Sequence, residues 1–125
     1  MKYMRIYTGI DGESHFEDIE MPMKSSSPVF NPALKDSIKH SELAKATGIS
    51  FNEYPPGMDW GGCHTAPRRQ FVIIIQGRWE FTTSQGIKRQ LAAGDVLLTE
   101  DTTGKGHFSK VVGRKILKNA VVPLE

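Results

Sequence analysis

From residue 70 to the C terminus, turn signals recur every few residues, a spacing that leaves no room for helices of ordinary length. Gln76-Gly77, Ser84-Gln85-Gly86 and Ala93-Gly94-Asp95 punctuate the chain, with glycine supplying the backbone conformations that tight turns need. The pieces between them read as strands. Phe71, Val72, Ile73, Ile74 and Ile75 are aromatic or β-branched, and such residues suit a pleated sheet. Residues 78–82 alternate polar and apolar, the period of a strand with one buried face. Residues 87–91 run back as the partner strand, and 96–100 follow the third turn. A loop over 101–106 leads to His107-Phe108, Val111-Val112 and a last strand near 115–122. Many short strands without a helical period predict an all-β sandwich or barrel.

The run 71–75 is apolar on both faces, so it needs cover inside the barrel and outside it. A second sheet or a partner subunit can supply the outer cover, and a homodimer is the expectation. The N-terminal part is looser. Residues 2–8 and 14–21 read as strands flanking the Asp11-Gly12 turn. Residues 22–41 are rich in Ser, Pro, Lys and Asn and include Ser25, Ser26 and Ser27 in succession. Asn31-Pro32 is a starting signal for a short helix through His40. A connection of this length is either an arm over the wall or a lid on the mouth. Residues 44–53 read as a strand ended by Pro55-Pro56-Gly57. The organisation expected is one domain, with N-terminal strands and a long loop over 1–43 and the barrel over 44–125.

Composition narrows the function classes. The 125 residues are 38% hydrophobic and 24% charged, and the net charge is +2 from 16 basic and 14 acidic residues. The basic residues are interleaved with acidic ones and form no stripe that could track phosphates, which argues against nucleic acid as a partner. A lone cysteine, Cys63, makes no intrachain disulfide and fits a reducing compartment. No secretory h-region occurs near Met1, and the longest apolar run, 71–75, is far too short to span a bilayer. A cytoplasmic protein without a membrane partner is expected.

From Gly62 the chain reads Gly62, Cys63, His64, Thr65, Ala66, Pro67, Arg68, Arg69, Gln70, then six residues to Gly77. This stretch resembles the first motif of the cupin superfamily: a glycine, two histidines one residue apart, a glutamate and a closing glycine. His64 falls on the first histidine, Ala66 on the second, Gln70 on the glutamate and Gly77 on the last glycine. Gly94-Asp95 and His107 occupy the start and end of the second motif, with Glu100 where a proline is usual and a loop about two residues longer. Segments 12–18, 67–70 and 100–107 also resemble one set of small bacterial single-domain cupins. The resemblance implies a double-stranded β-helix, or jelly roll, and a barrel pocket built on His64, Gln70 and His107.

Strand parity agrees, because positions of equal parity face one way: His64, Ala66 and Gln70 share a face with Val72 and Ile74. Two imidazoles and an amide oxygen can hold a divalent transition ion such as Zn, Fe, Mn or Ni. The set departs from the family pattern, since alanine replaces one histidine and a neutral amide replaces the carboxylate. Less charge reaches the ion, which weakens binding and leaves it more Lewis-acidic. Glu100, Asp101 or His15 would restore a ligand if it reached the pocket.

Each residue also has a plainer reading. His64 and His107 can be hydrogen-bonded interior histidines, and Gln70 can satisfy a backbone group. Cys63 has the opposite parity to His64 and reads as a small buried hydrophobe, not as a thiolate. Arg68 and Arg69 can clamp a substrate carboxylate or simply face solvent. His15 suits a strand as well as a pocket, and Glu17 and Asp18 suit a solvated face. Trp60 and Trp79 read as core or interface. Thr102-Thr103-Gly104-Lys105-Gly106 lacks the first glycine and the final Ser or Thr of a phosphate loop; Gly104 and Gly106 instead allow a tight path into His107.

Three functions follow. The first is a metal-assisted enzyme on a small organic molecule, of isomerase, decarboxylase, lyase or oxygenase type. In it His64, Gln70 and His107 hold the ion, Glu100 or His15 acts as acid or base, and Arg68 fixes a carboxylate. The second is a non-catalytic module that binds a small ligand without metal. The third is a purely structural dimer.

Overall fold

The computed structural model describes residues 1–26, 31–34 and 36–125. Its strands are β1 (Lys2–Thr8), β2 (Ser14–Glu20), β3 (Lys24–Ser26), β4 (Ile38–His40), β5 (Ser50–Tyr54), β6 (Gln70–Gln76), β7 (Arg78–Thr83), β8 (Lys88–Ala92), β9 (Val96–Glu100), β10 (His107–Val112) and β11 (Leu117–Pro123). One sheet has the order β2-β1-β9-β6-β11-β5 and a second has β10-β7-β8. The segment between β5 and β6 extends the second sheet, because Asp59 bridges to Lys110 and His64 bridges to His107. The chain therefore winds between β5-β11-β6-β9 on one side and the 59–64 segment-β10-β7-β8 on the other. That is the winding of an eight-stranded jelly roll, the architecture of cupin barrels. β1 adds to it parallel to β9, and β2 pairs antiparallel outside β1.

Alternation along the strands builds the core. Val72 and Ile74 of β6, Met4 and Ile6 of β1, Leu97 of β9 and Leu117 of β11 meet Trp79 and Phe81 of β7, Leu91 of β8 and Val111 of β10. At about 25 cal/mol per Å² of apolar surface removed from water, this layer is the main stabilising contribution. The other face of β6 differs. Ile73 and Ile75 remain 38% and 50% exposed, so the second sheet covers the inner face of the run 71–75 and leaves its outer face open.

Two local expectations are corrected. The strand read over 44–53 is confined to β5. Residues 45–47 instead follow the C-terminal end of β11 through single hydrogen bonds, Thr47 N to Pro123 O and Glu125 N to Lys45 O. The helix read from Asn31 to His40 is a single 3-10 turn, Pro32–Leu34. Asn31 does cap it, with its Oδ1 accepting from Ala33 N at 3.1 Å. Asp36 then adopts a left-handed φ of 67°, and the chain enters β4, which pairs with β3 in an arm. Ser27 and the rest of residues 27–30, together with residue 35, lie outside the described residues. No helix among the described residues is long and apolar enough to cross a membrane.

Candidate functional site

A cavity of about 340 Å³ opens at one end of the barrel, between the two sheets. Strand parity sets its lining. β6 contributes Gln70 and Val72, β7 contributes Trp79 and Phe81, and β10 contributes His107 and Ser109. Thr99 of β9, Tyr54 of β5 and Val121 of β11 complete those walls, and the segment before β6 adds Trp60, His64 and Ala66. The lining therefore mixes aromatic rings with two imidazoles, an amide and hydroxyl groups, and Ser109 lies directly opposite Phe81 in the β10–β7 ladder. No Asp, Glu, Lys or Arg among the described residues lines it.

The backbone fixes the spacing of the two histidines. His64 N donates to His107 O at 2.9 Å, and His107 N donates to His64 O at 2.8 Å. This reciprocal pair brings residues 43 positions apart in the chain face to face, with ring centroids 4.7 Å apart. Gly106 makes the approach feasible. Its φ is +78°, and a Cβ there would collide with the His64 carbonyl, so only glycine fits without a shift. The tight path read from Gly104 and Gly106 is what the structure contains.

Each imidazole has one nitrogen committed. His64 Nδ1 lies 3.2 Å from Gly62 O, and His107 Nδ1 lies 2.5 Å from Asp101 Oδ2. A carbonyl or carboxylate partner makes Nδ1 the donor, which leaves the Nε2 lone pair of both rings free. Asp101 is fully buried. Its Oδ2 also accepts from Ser14 Oγ at 2.7 Å, while its Oδ1 has no partner among the described residues. The Ala66 N–H donates to the Asp101 carbonyl, tying the 64–66 segment to the same loop. Asp101 thus supports His107 from behind and is not itself a cavity group.

His64, Gln70 and His107 share this cavity. Glu100, His15 and Arg68 do not line it, which corrects the acid, base and clamp roles expected of them. Glu100 follows Thr99, which lines the cavity, so it points out of the barrel. There Arg5 Nε and Arg69 Nε each bond it at 2.6 Å. Burial pushes its carboxyl up, but the hydrogen bonds from Arg69 and Arg5 and their charges outweigh that and hold it below the ordinary carboxylate range. His15 pairs with Asp11 at 2.9 Å on the surface. Arg68 is exposed and contributes its carbonyl, which accepts from Thr99 Oγ1. Cys63 is exposed instead of buried, because it lies in an irregular segment where strand parity does not apply. Desolvation of its sulfur, with the negative charges of Asp101 and Glu13, pushes the thiol up, against a thiolate role.

Trp60, Thr99 and Ser109 join the site unforeseen as cavity residues, beside Tyr54 at the pocket-side end of β5. Burial pushes the Tyr54 hydroxyl up, so it remains a donor. Ser14 is also unforeseen, and no sequence signal connects it to Asp101, 87 residues away.

Two imidazoles with free Nε2 atoms fit a divalent transition ion. Rings sharing one ion at a metal–nitrogen length of about 2.1 Å have centres within about 6.5 Å of each other, and 4.7 Å is inside that limit. The donor set is sparse, because no group of three His, Cys, Asp or Glu side chains converges among the described residues. Such a site would hold an ion with open positions and little charge compensation.

No family model matches the chain, and no curated protein sequence matches it. Solved structures do resemble it. A cupin protein from Bacteroides fragilis is 17% identical over 86% of this chain and 79% of its own, with a TM-score of 0.47. The cupin domain of Schizosaccharomyces pombe Cnp3 is 13% identical over 90% of this chain and 73% of its own, with a TM-score of 0.46. A conserved Streptococcus pyogenes protein of unknown function is 18% identical over 68% and 69%, with a TM-score of 0.45. These likenesses are weak, and the jelly-roll assignment stands on the strand order of this chain.

Proposed function

We propose that the protein is an enzyme acting on a small organic molecule in the barrel cavity, assisted by a divalent transition ion held by His64 and His107 with Gln70 beside them. One observation supports this reading above others: both histidines tie Nδ1 to a protein oxygen and leave Nε2 free on one cavity. Backing of that kind is how proteins orient metal-binding imidazoles. When bound, the ion would polarise a carbonyl or enolate oxygen of the substrate, chemistry that suits isomerisation, decarboxylation or lyase reactions better than oxygenation, since no carboxylate completes a facial triad. The rest of the work belongs to the chain. Trp60, Trp79, Phe81 and Tyr54 exclude water and favour a flat, largely apolar substrate body. Asp101 fixes the His107 tautomer. The Tyr54 hydroxyl, Gln70 and Ser109 offer hydrogen bonds to its polar end.

A second reading, a module that binds a small ligand without metal, is favoured by the lack of any carboxylate in the lining. Calorimetric titration with zinc and nickel, on wild type and on His64→Ala and His107→Ala, separates the two. The enzyme reading expects about one ion per chain, and affinity at least tenfold lower in each variant, a loss of about 1.4 kcal/mol or more. If wild type takes up no ion, the metal reading fails. The second reading then expects thermal stabilisation by small aromatic ligands that a chelator does not change.

A further inference from the structure

We propose that the protein carries a second binding site, at the far end of the barrel from the mouth, for the phosphoryl group of a soluble small molecule. A hollow of about 370 Å³ lies there, inside the size range of small-molecule sites. β6 separates it from the mouth, running from Gln70 in the first cavity to Gln76, next to Gly77 in the second. A strand of that length spans roughly 20 Å, so the two cavities are distinct.

Parity and register make the floor. Trp79, Phe81 and Thr83 of β7 are buried, so Arg78 leaves the strand on the outer face of the second sheet. Its cross-strand neighbours there are Val112 of β10 and Ala92 of β8. Ala92, Ala93 and Val112 are short and apolar, which leaves an apolar recess beside the arginine. The loop over 113–115 forms the other wall and carries Arg114 and Lys115. Main chain sets its position. Gly77 has a φ of +85°, and a Cβ there would stand 2.9 Å from the Ile116 carbonyl oxygen, so the two backbones touch. Gln76 Nε2 donates to the same oxygen at 3.1 Å.

Charge selects the ligand. Arg78, Arg114 and Lys115 line the hollow, and no Asp or Glu among the described residues joins them. None of the three has a carboxylate within 4.0 Å among the described residues. Glu80, the acid on the adjacent row of the same face, is engaged by Lys88, Lys110 and Gln90. Asp95, at the neighbouring turn, gives its Oδ2 to the Ala92 N–H at 2.7 Å. By contrast Arg5, Arg69, Arg89 and Lys105 each hold a carboxylate. Three like charges gathered on one hollow repel one another, and a bound oxyanion relieves that repulsion. Two guanidinium groups supply forked donors that match phosphate oxygens. The amides of Gly113, Arg114 and Lys115 donate to no protein acceptor among the described residues and add neutral donors. A phosphoryl dianion answers three cations better than a single carboxylate does, and the apolar floor takes its organic part.

Titration of the full, metal-free chain with phenyl phosphate, a dianion above about pH 7, tests this through backbone amide shifts in NMR. Wild type is expected to saturate with a Kd of about 1 mM or below in low salt, with the shifts centred on residues 92–93 and 112–115. Raising sodium chloride to about 300 mM should weaken binding about threefold, as expected of screened charges. Arg78→Gln and Arg114→Gln should each weaken it about fivefold or more. Both side chains are exposed, so the melting temperature should stay nearly unchanged, which separates lost binding from lost folding. His64→Ala should bind phenyl phosphate as wild type does, so this site stands or falls apart from the metal reading of the mouth. Vesicles containing phosphatidic acid should leave the chain in the supernatant; if they sediment it, the phosphate belongs to a lipid headgroup and the soluble ligand is overturned. The proposal is also overturned by shifts that do not saturate, by shifts centred on His64 and His107, or by undiminished binding in both arginine variants.

Discussion

Glu100 and Asp101 are neighbours in sequence, both acidic, and they live in different regions of the molecule. Asp101 is fully buried, holding the back of His107 and the hydroxyl of Ser14. Glu100 sits on the outer face between two arginine side chains. Glu100 ends β9 on the face opposite Thr99, and Asp101 is the first residue past the strand, so one carboxylate became part of a surface ion cluster and the other became structural support for the cavity. The pair teaches that a charged residue beside a site motif serves the site only if its parity and its partners allow it.

Removing each carboxylate in turn should break the comparison cleanly. Asp101→Ala should have the largest effect, about 3 kcal/mol of stability in urea unfolding, because it leaves buried donors on Ser14 and His107 without an acceptor. A loss below about 1 kcal/mol would show that Asp101 is not holding the loop. Asp101→Asn keeps the shape and one acceptor, so it isolates the effect on His107. If the ion is bound as proposed, its affinity should fall about 10- to 100-fold by calorimetry, while Glu100→Gln leaves it unchanged. An equal fall in both variants would mean that the two regions are not separate.

For stability Glu100 is again the lesser of the two. Glu100→Gln should cost at most about 1 kcal/mol in thermal unfolding, since an ion pair this close to solvent gains little. The smallest effect is on pH dependence. The folded value of Glu100 is depressed, so its contribution is complete above the ordinary glutamate value of about 4.3. It is lost as pH falls through the lower folded value. Acid titration of stability should therefore be slightly shallower for Glu100→Gln than for wild type, and an identical slope would remove Glu100 from the account.

Much of this was legible before any coordinates. Alternation in 78–82 and the aromatic and β-branched run 71–75 marked strands, and the glycine-containing turns marked their ends. The resemblance at His64, Gln70 and His107 picked three residues that do share a cavity. What escaped has physical causes. Parity holds inside a strand but not in the irregular stretch around Cys63, so its exposure was misread. Asn31 caps one turn, yet a cap without an apolar stripe behind it does not sustain a helix. Ser14 and Asp101 meet through tertiary packing alone. The acid and base roles expected of Glu100 and His15 came from proximity to motifs, and ion-pair partners at Arg5, Arg69 and Asp11 claim both side chains instead.

The reciprocal backbone hydrogen bonds between residues 64 and 107, with glycine at 106 letting the two backbones close, make the spacing of these two positions a property of main chain and not of side chain. That turns the two positions into a socket with interchangeable fittings. Whatever pair of residues is installed there inherits the same span, so new chemistry at this rim requires two substitutions and no redesign of the wall behind it.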